Sequence, residues 1–288
     1  MSLTSHIARP HAALILLGHG STQNPDSSEP TWRHAEELKK RGLFGEVTCA
    51  FWKEEPGFRD VLYTLDSDEV FIVPLFISEG YFTREVLPRE LRLTGPTTVF
   101  PDLGKTVHYC DPVGIHPSMT RLLMGRAESA APGVPRHAIS LVIVGHGTGL
   151  NENSRKAITD QVDIIRGRNA GFAQVVDAYM EEPPLISKWD EITAAPHVVV
   201  VPFFIADGLH SYEDIPVMLG IVDESAGSAS DNAGEVFQHN PYERRGRRLY
   251  YTPAIGTEKS LADVVLDQVH AFELNQAPAP RDLAAADI

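Results

Sequence analysis

Short apolar runs, each closed by glycine, proline or a polar cluster, alternate along the chain with longer amphipathic stretches. Leu14-Ile15-Leu16-Leu17 stops at Gly18-His19-Gly20-Ser21, and Leu141-Val142-Ile143-Val144 stops at Gly145-His146-Gly147-Thr148. Val73-Pro74-Leu75-Phe76-Ile77 and Val201-Pro202-Phe203-Phe204-Ile205 are of the same kind. Runs this short, continuous rather than alternating, predict strands buried on both faces, as in a parallel sheet. Between them Glu29 to Arg41 and Asn151 to Arg166 place charge and alanine on a helical period. Met119 to Glu128, interrupted by Gly125, and Leu261 to Leu274 predict a closing helix for each half. Strands alternating with helices imply βαβ units, hence helices on both faces of a mostly parallel sheet.

The chain also repeats itself. The two Gly-His-Gly turns lie 127 positions apart. Ala50-Phe51-Trp52-Lys53-Glu54-Glu55-Pro56 matches Ala178-Tyr179-Met180-Glu181-Glu182-Pro183-Pro184 at an offset of 128, and Val73 to Gly80 matches Val201 to Gly208 at the same offset. Three blocks in one order and nearly one register predict an α/β protein of two similar lobes, each with about four strands. Ala130-Ala131-Pro132-Gly133-Val134-Pro135 marks the boundary, giving lobes over 1–133 and 134–275 and a flexible tail over 276–288. The Ser-, Gly-, Ala- and Asn-rich stretch from Asp223 to Asn240 reads as an insertion of the second half and a mobile surface loop.

Composition narrows the function. A formal charge of −14 over 288 residues disfavours a nucleic-acid partner, whose phosphates need clustered Lys and Arg. No apolar run approaches the roughly 20 residues of a membrane span, and Met1 to Pro10 lacks the apolar core of a secretory signal. Two cysteines, Cys49 and Cys110, make no disulfide framework. A cytoplasmic protein is expected.

In open α/β sheets ligands bind at the carboxyl ends of the strands, and the repeated blocks place their polar residues there. In the second half those residues are His146, Glu181 with Glu182, and His210. Two imidazoles and a carboxylate suit a borderline divalent ion such as Co²⁺, Ni²⁺, Fe²⁺ or Zn²⁺ and leave coordination positions open. Gly145 and Gly147 allow a sharp turn and close approach of a flat ligand. Each feature alone has a plainer reading. Gly-His-Gly also serves as a tight turn or an anion-binding helix start, Glu-Glu-Pro-Pro as a solvated helix start, and His210 beside Asp214 as a local pair. Their joint occurrence at three strand ends favours a site.

These motifs resemble the CbiX-type sirohydrochlorin chelatases, a branch of the class II chelatases. The pattern stands in Gly145-His146-Gly147-Thr148, in Tyr179-Met180-Glu181, and in Val201-Pro202 through Gly208-Leu209-His210 to Asp214-Ile215-Pro216. As two copies the resemblance covers nearly the whole chain. It implies a chelatase-like, Rossmann-like topology and ATP-independent insertion of Co²⁺ or Fe²⁺, with Ni²⁺ as a further candidate, into sirohydrochlorin or a related tetrapyrrole of cobalamin or siroheme biosynthesis. The metal is then a substrate, and no organic cofactor is expected. Carried over by position, His146 and His210 handle the metal or its displaced protons, and Glu181 is the accompanying carboxylate, in preference to Glu182. In the first half Lys53 replaces that Glu and Phe82 replaces His210, so only His19 remains and this lobe becomes a wall of the crevice.

Sirohydrochlorin carries eight carboxylates, so local cations are needed. Arg84, Arg89 and Arg92, with Arg155 and Lys156, are the candidates, Arg84 and Arg155 foremost. Two lobes in one chain make a monomer sufficient, although a dimer is compatible. The competing reading is a non-catalytic carrier of metal or tetrapyrrole. A nucleotide binder is disfavoured because neither Gly-x-Gly-x-x-Gly nor a Gly-Lys-Ser/Thr loop occurs.

Overall fold

The computed structural model describes residues 6–22, 27–147, 152–222 and 234–276. Two five-stranded sheets make up the molecule. In the first, β1 (Arg9–Gly18), β2 (Phe44–Phe51), β3 (Glu69–Pro74), β4 (Thr97–Phe100) and β5 (Lys105–Tyr109) lie in the order β2-β1-β3-β5-β4. The second repeats this with β6 (Ile139–Gly145), β7 (Gln174–Tyr179), β8 (His197–Pro202), β9 (Tyr242–Arg244) and β10 (Arg247–Tyr251), in the order β7-β6-β8-β10-β9. Four strands of each sheet are parallel and the edge strands β4 and β9 are antiparallel to their neighbours. The count is therefore five per lobe rather than about four. The added strands are short, and β9 has no buried residue, so neither shows an apolar run.

The central strands are apolar throughout because both faces are covered. Leu14 and Leu16 of β1 join one core, while Ala13, Ile15 and Leu17 point to another on the opposite face. In β6, Leu141 and Ile143 share the core of Leu14 and Leu16, whereas Val142 and Val144 face a third. One continuous core thus runs between the sheets.

Seven α-helices complete the described fold: α1 (Glu29–Arg41), α2 (Leu87–Glu90), α3 (Met119–Ala130), α4 (Glu152–Gly167), α5 (Trp189–Ile192), α6 (Ile215–Leu219) and α7 (Leu261–Gln276). Helix α1 coincides with the predicted span. Pro30 opens it, Lys39, Lys40 and Arg41 occupy its last turn, and Gly42 (φ 63°) ends it. Asn151, predicted to begin α4, lies outside the described residues.

The closing helices do not cover their own halves alone. Helix α3 packs on β8 of the second sheet, and α7 packs on β3 of the first. Polar contacts lock this exchange. Arg126 of α3 donates to the carbonyl of Ala254 and to Thr257 Oγ1, and Gln268 of α7 donates to the carbonyl of Pro112 at 2.7 Å. His34 of α1, 1% exposed, lies 2.7 Å from the carbonyl of Gly256.

The expected loop over 223–240 is anchored where it is described. Val236 is buried in the second lobe's outer core, and Asn240 bonds to the backbone of Phe237 and Tyr251. The rest of that stretch and residues 277–288 lie outside the described residues; Gln276 belongs to α7. Both cysteines are buried and unbridged. Among the described residues no helix is long and apolar enough to cross a membrane.

Candidate functional site

Strand order reverses beside β6, whose neighbours β7 and β8 follow it on opposite sides. A crevice forms at the carboxyl ends of strands at such a switch point, and His146 follows β6 directly. The β7 end is tied to it: Met180 N–H donates to the carbonyls of Gly145 and His146, and Glu181 N–H donates to that of His146 at 3.2 Å. This clamp brings Glu181 Oε1 to 3.6 Å from His146 Nδ1. Beyond β8, a single π-helical turn, His210–Asp214, brings the second imidazole in. The rings of His146 and His210 stand edge to face at 83°, their centroids 4.8 Å apart. All three side chains that the sequence singled out therefore meet.

They are accessible. The side chains of His146, His210 and Glu181 are 32%, 47% and 58% exposed, enough for an external ligand to reach them. Nδ1 of His146 is buried and has no hydrogen-bond partner among the described residues. No group of three or more His, Cys, Asp or Glu among these residues forms a ready metal cage. The arrangement is an open imidazole pair with a carboxylate beside it.

Glu182 is occupied differently. Its Oε2 lies 3.5 Å from Arg155 Nη1, and the Arg155 guanidinium lies over the ring of Tyr179 at 4.9 Å. Glu182 is thus engaged away from His146, and Arg155 sits at the margin of the site. Arg84 instead pairs with Glu79 at 2.5 Å in the other lobe, at a cavity of about 510 Å³ that also involves Tyr109, Asp111 and Gln268. None of His146, Glu181 and His210 lines that cavity. Arg89 pairs with Glu90, Arg92 contacts the Tyr63 hydroxyl, and Lys156 pairs with Asp160 one helical turn on.

The glycines of the turn are explained by packing. Gly147 has φ 71°, and a Cβ there would stand 2.5 Å from Tyr179 Cβ. At Gly145 it would stand 2.2 Å from Ile158 Cδ1 of α4. Their crowding partners are the protein's own side chains.

The corresponding place in the first lobe is filled. Phe82 lies 5.6 Å from the His19 ring, 5.8 Å from Trp52 and 5.2 Å from Phe76, centroid to centroid. His19 Nδ1 is 2.8 Å from the carbonyl of Gly20. Glu54, at the position of Glu182, accepts from Ser21 N–H and the Ser28 hydroxyl. His19 keeps the place of His146, and an apolar cluster takes the place of the second imidazole.

Sequence reasoning left Asp214 as a local pair. The structure puts its Oδ2 2.7 Å from His210 Nδ1. The internal repeat held a signal for it, since Val86 stands where Asp214 does, just as Phe82 stands for His210.

Comparison with known proteins adds to this geometry. The CbiX family model matches the chain twice, over residues 13–130 and 140–271. A relative from Halobacterium salinarum, named a probable sirohydrochlorin cobaltochelatase, is 43% identical over 273 residues, covering 89% of this chain and 90% of that one. A sirohydrochlorin cobaltochelatase of Methanococcus maripaludis is 29% identical over 146 residues, 46% of this chain and 99% of that one. Among solved structures, a multi-domain Deinococcus radiodurans protein, described as structurally similar to chelatases with two additional novel domains, superposes with TM-score 0.73 at 30% identity over 89% of this chain. The chain spans 54% of that protein's length. SirB from Bacillus subtilis with Fe³⁺ superposes with TM-score 0.66 at 17% identity over 92% of this chain and 96% of that one, a likeness of fold.

Proposed function

This chain belongs to the CbiX family of metal chelatases, and from that premise we propose that it inserts Co²⁺ or Fe²⁺ into sirohydrochlorin or a related tetrapyrrole without ATP. The observation that carries the reading is the spacing of His146 and His210. Two imidazoles this close, with a carboxylate 3.6 Å from one of them, offer a divalent ion nitrogen and oxygen donors and leave positions open for the nitrogens of a macrocycle.

Insertion exchanges M²⁺ for two pyrrole protons, so the reaction needs a proton acceptor as well as ligands. Glu181, exposed and beside His146, takes the two protons in turn and passes each to solvent. Placing the acid next to the ligand keeps it within reach of a ring lying over the imidazoles. The aromatic cluster of Trp52, Phe76 and Phe82 gives the first lobe an apolar face suited to the flat macrocycle. Arg155, close to the site and only partly neutralised by Glu182, is assigned to a substrate carboxylate. Arg84, paired with Glu79 in the other lobe, is assigned to a more distant one.

The test is metal insertion followed by absorbance, with sirohydrochlorin and Co²⁺, Fe²⁺ or Ni²⁺ at limiting metal. His146→Ala and His210→Ala are each expected to abolish insertion with the fold intact, and His19→Ala to be milder. Metal and tetrapyrrole binding by the wild-type chain without conversion above the spontaneous rate would identify a carrier. If His19→Ala alone proved lethal, the site would belong to the first lobe.

A further inference from the structure

His210 and Asp214 share one face of the π-helical turn, with Nδ1 and Oδ2 2.7 Å apart. We propose that Asp214 is a positioning residue for metal delivery. It accepts the Nδ1–H of His210, holds the imidazole in that tautomer, and so leaves the Nε2 lone pair free for the ion. The inference rests on the reading of His210 as a metal-presenting residue.

A neutral imidazole carries its proton on one nitrogen and its lone pair on the other. A histidine with no fixed acceptor favours the proton on Nε2, the nitrogen that would have to face an incoming ion. A carboxylate at Nδ1 reverses this preference, orients the ring and raises the basicity of the opposite nitrogen. The other neighbours of His210 do not serve this purpose: the ring of Phe204 is 6.2 Å away and apolar, and His146 meets it edge to face.

The first lobe provides an internal control. Its turn Phe82–Val86 is also π-helical and also runs into an aliphatic-Pro step, Leu87-Pro88, as His210–Asp214 runs into Ile215-Pro216. The turn therefore forms with valine at the position of Asp214, and building the backbone does not require a carboxylate. Where the imidazole is replaced by phenyl, the acid is replaced too. A stabilising role is equally poor as an explanation, because His210 and Asp214 are 47% and 46% exposed and a solvated pair contributes little to folding. What remains is service to the imidazole.

The test uses the full-length protein, ¹⁵N-labelled at histidine, as wild type, Asp214→Asn and Asp214→Ala. Imidazole ¹⁵N shifts at one fixed pH report the tautomer, and titration with Co²⁺ alone reports affinity. Wild type is expected to show a pyrrole-type Nδ1 and a pyridine-type Nε2 at His210. Asp214→Ala should move the proton to Nε2 and weaken Co²⁺ binding roughly 10- to 100-fold, with its thermal midpoint unchanged. Asp214→Asn, which still accepts through Oδ1, should recover most of both. An unchanged tautomer in Asp214→Ala would overturn the proposal. So would a loss of affinity that is as large in a His210→Ala background as in wild type. A wild-type chain that shows this tautomer but inserts no metal would instead count against the chelatase reading.

Discussion

Gly147 and its counterpart Gly20 test whether the Gly-His-Gly turn of the second lobe is held more tightly than that of the first. Both glycines adopt left-handed backbone, with φ 71° and 65°. Alanine at either position therefore carries the same conformational cost of about 1–2 kcal/mol. Their surroundings differ. At Gly20 the nearest atom to an added Cβ is Glu54 Oε1 at 3.0 Å, the end of a flexible side chain. At Gly147 the nearest are Tyr179 Cβ at 2.5 Å and Glu182 Cγ at 2.8 Å, and Tyr179 is fully buried. Glu54, held by Ser21 and Ser28, needs to give only a few tenths of an ångström. A buried Cβ at 2.5 Å cannot move aside so cheaply, so overpacking at Gly147 adds about 1–3 kcal/mol. The sums are about 2–5 kcal/mol for Gly147→Ala and about 1–2 for Gly20→Ala. At roughly 3 °C per kcal/mol for a protein near this size, the midpoints should fall by about 6–15 °C and about 3–6 °C. Circular dichroism melts of both variants measure this, and metal insertion below the transition supplies a second reading. Relief of the clash moves the His146 loop away from Met180 and Glu181, so Gly147→Ala should also lose activity while folded. Equal destabilisation by the two variants, or a greater loss from Gly20→Ala, would refute the reasoning.

Two further outcomes follow from the junction between the lobes. Burial lowers the pKa of His34 from 6.5 to about 4, opposed by its bond to the Gly256 carbonyl and by Glu37, with Arg33 and Arg41 acting in the same sense as burial. The unfolded chain binds a proton there that the folded chain refuses, so stability present above pH 6.5 is lost as pH falls towards 4. The loss is about 3 kcal/mol, and His34→Gln should flatten the thermal midpoint over that window. The exchanged helices concern the lobes themselves: a fragment of residues 1–133 should fail to fold alone, lacking α7 over β3, and should gain helical ellipticity and cooperative melting when mixed with residues 134–276. A cooperative melt of the isolated fragment would contradict this.

How much of this was legible in the chain depended on whether a residue's partner was local. The central strands stood out because covering on both faces leaves them apolar without alternation, as in Leu14 to Leu17. Edge strand β9, three residues with none buried, has no such mark. The period of Leu261 to Leu274 shows that one side is covered, but carries no information on which sheet covers it, so its place over β3 was not readable. Convergence of His146, Glu181 and His210 was readable, because strand ends in a parallel sheet share one edge and the repeat fixed the register. Glu181 was preferred to Glu182 only through its place after Tyr179-Met180 in the family motif; the backbone clamp at His146 and the pairing of Glu182 with Arg155 give the physical difference between the two acids.

Exchange of the closing helices fixes the two lobes against each other. Under the proposed function a ring lying over His146 and His210 would need an opposing surface at a fixed distance, which two lobes joined only by a flexible link would not hold. Here the shared core runs from Leu14 and Val73 to Ile143 and Val201, and α3 and α7 each rest on the sheet they do not follow. Sliding the lobes apart would expose that core and exchange the carbonyl partners of Arg126 and Gln268 for water, each such bond contributing about 0.5–1.5 kcal/mol net. In the proposed reading the duplicated fold supplies rigidity twice and chemistry once: Phe82 and Val86 of the first lobe serve packing, while His210 and Asp214 of the second form the polar pair that a delivered ion would use.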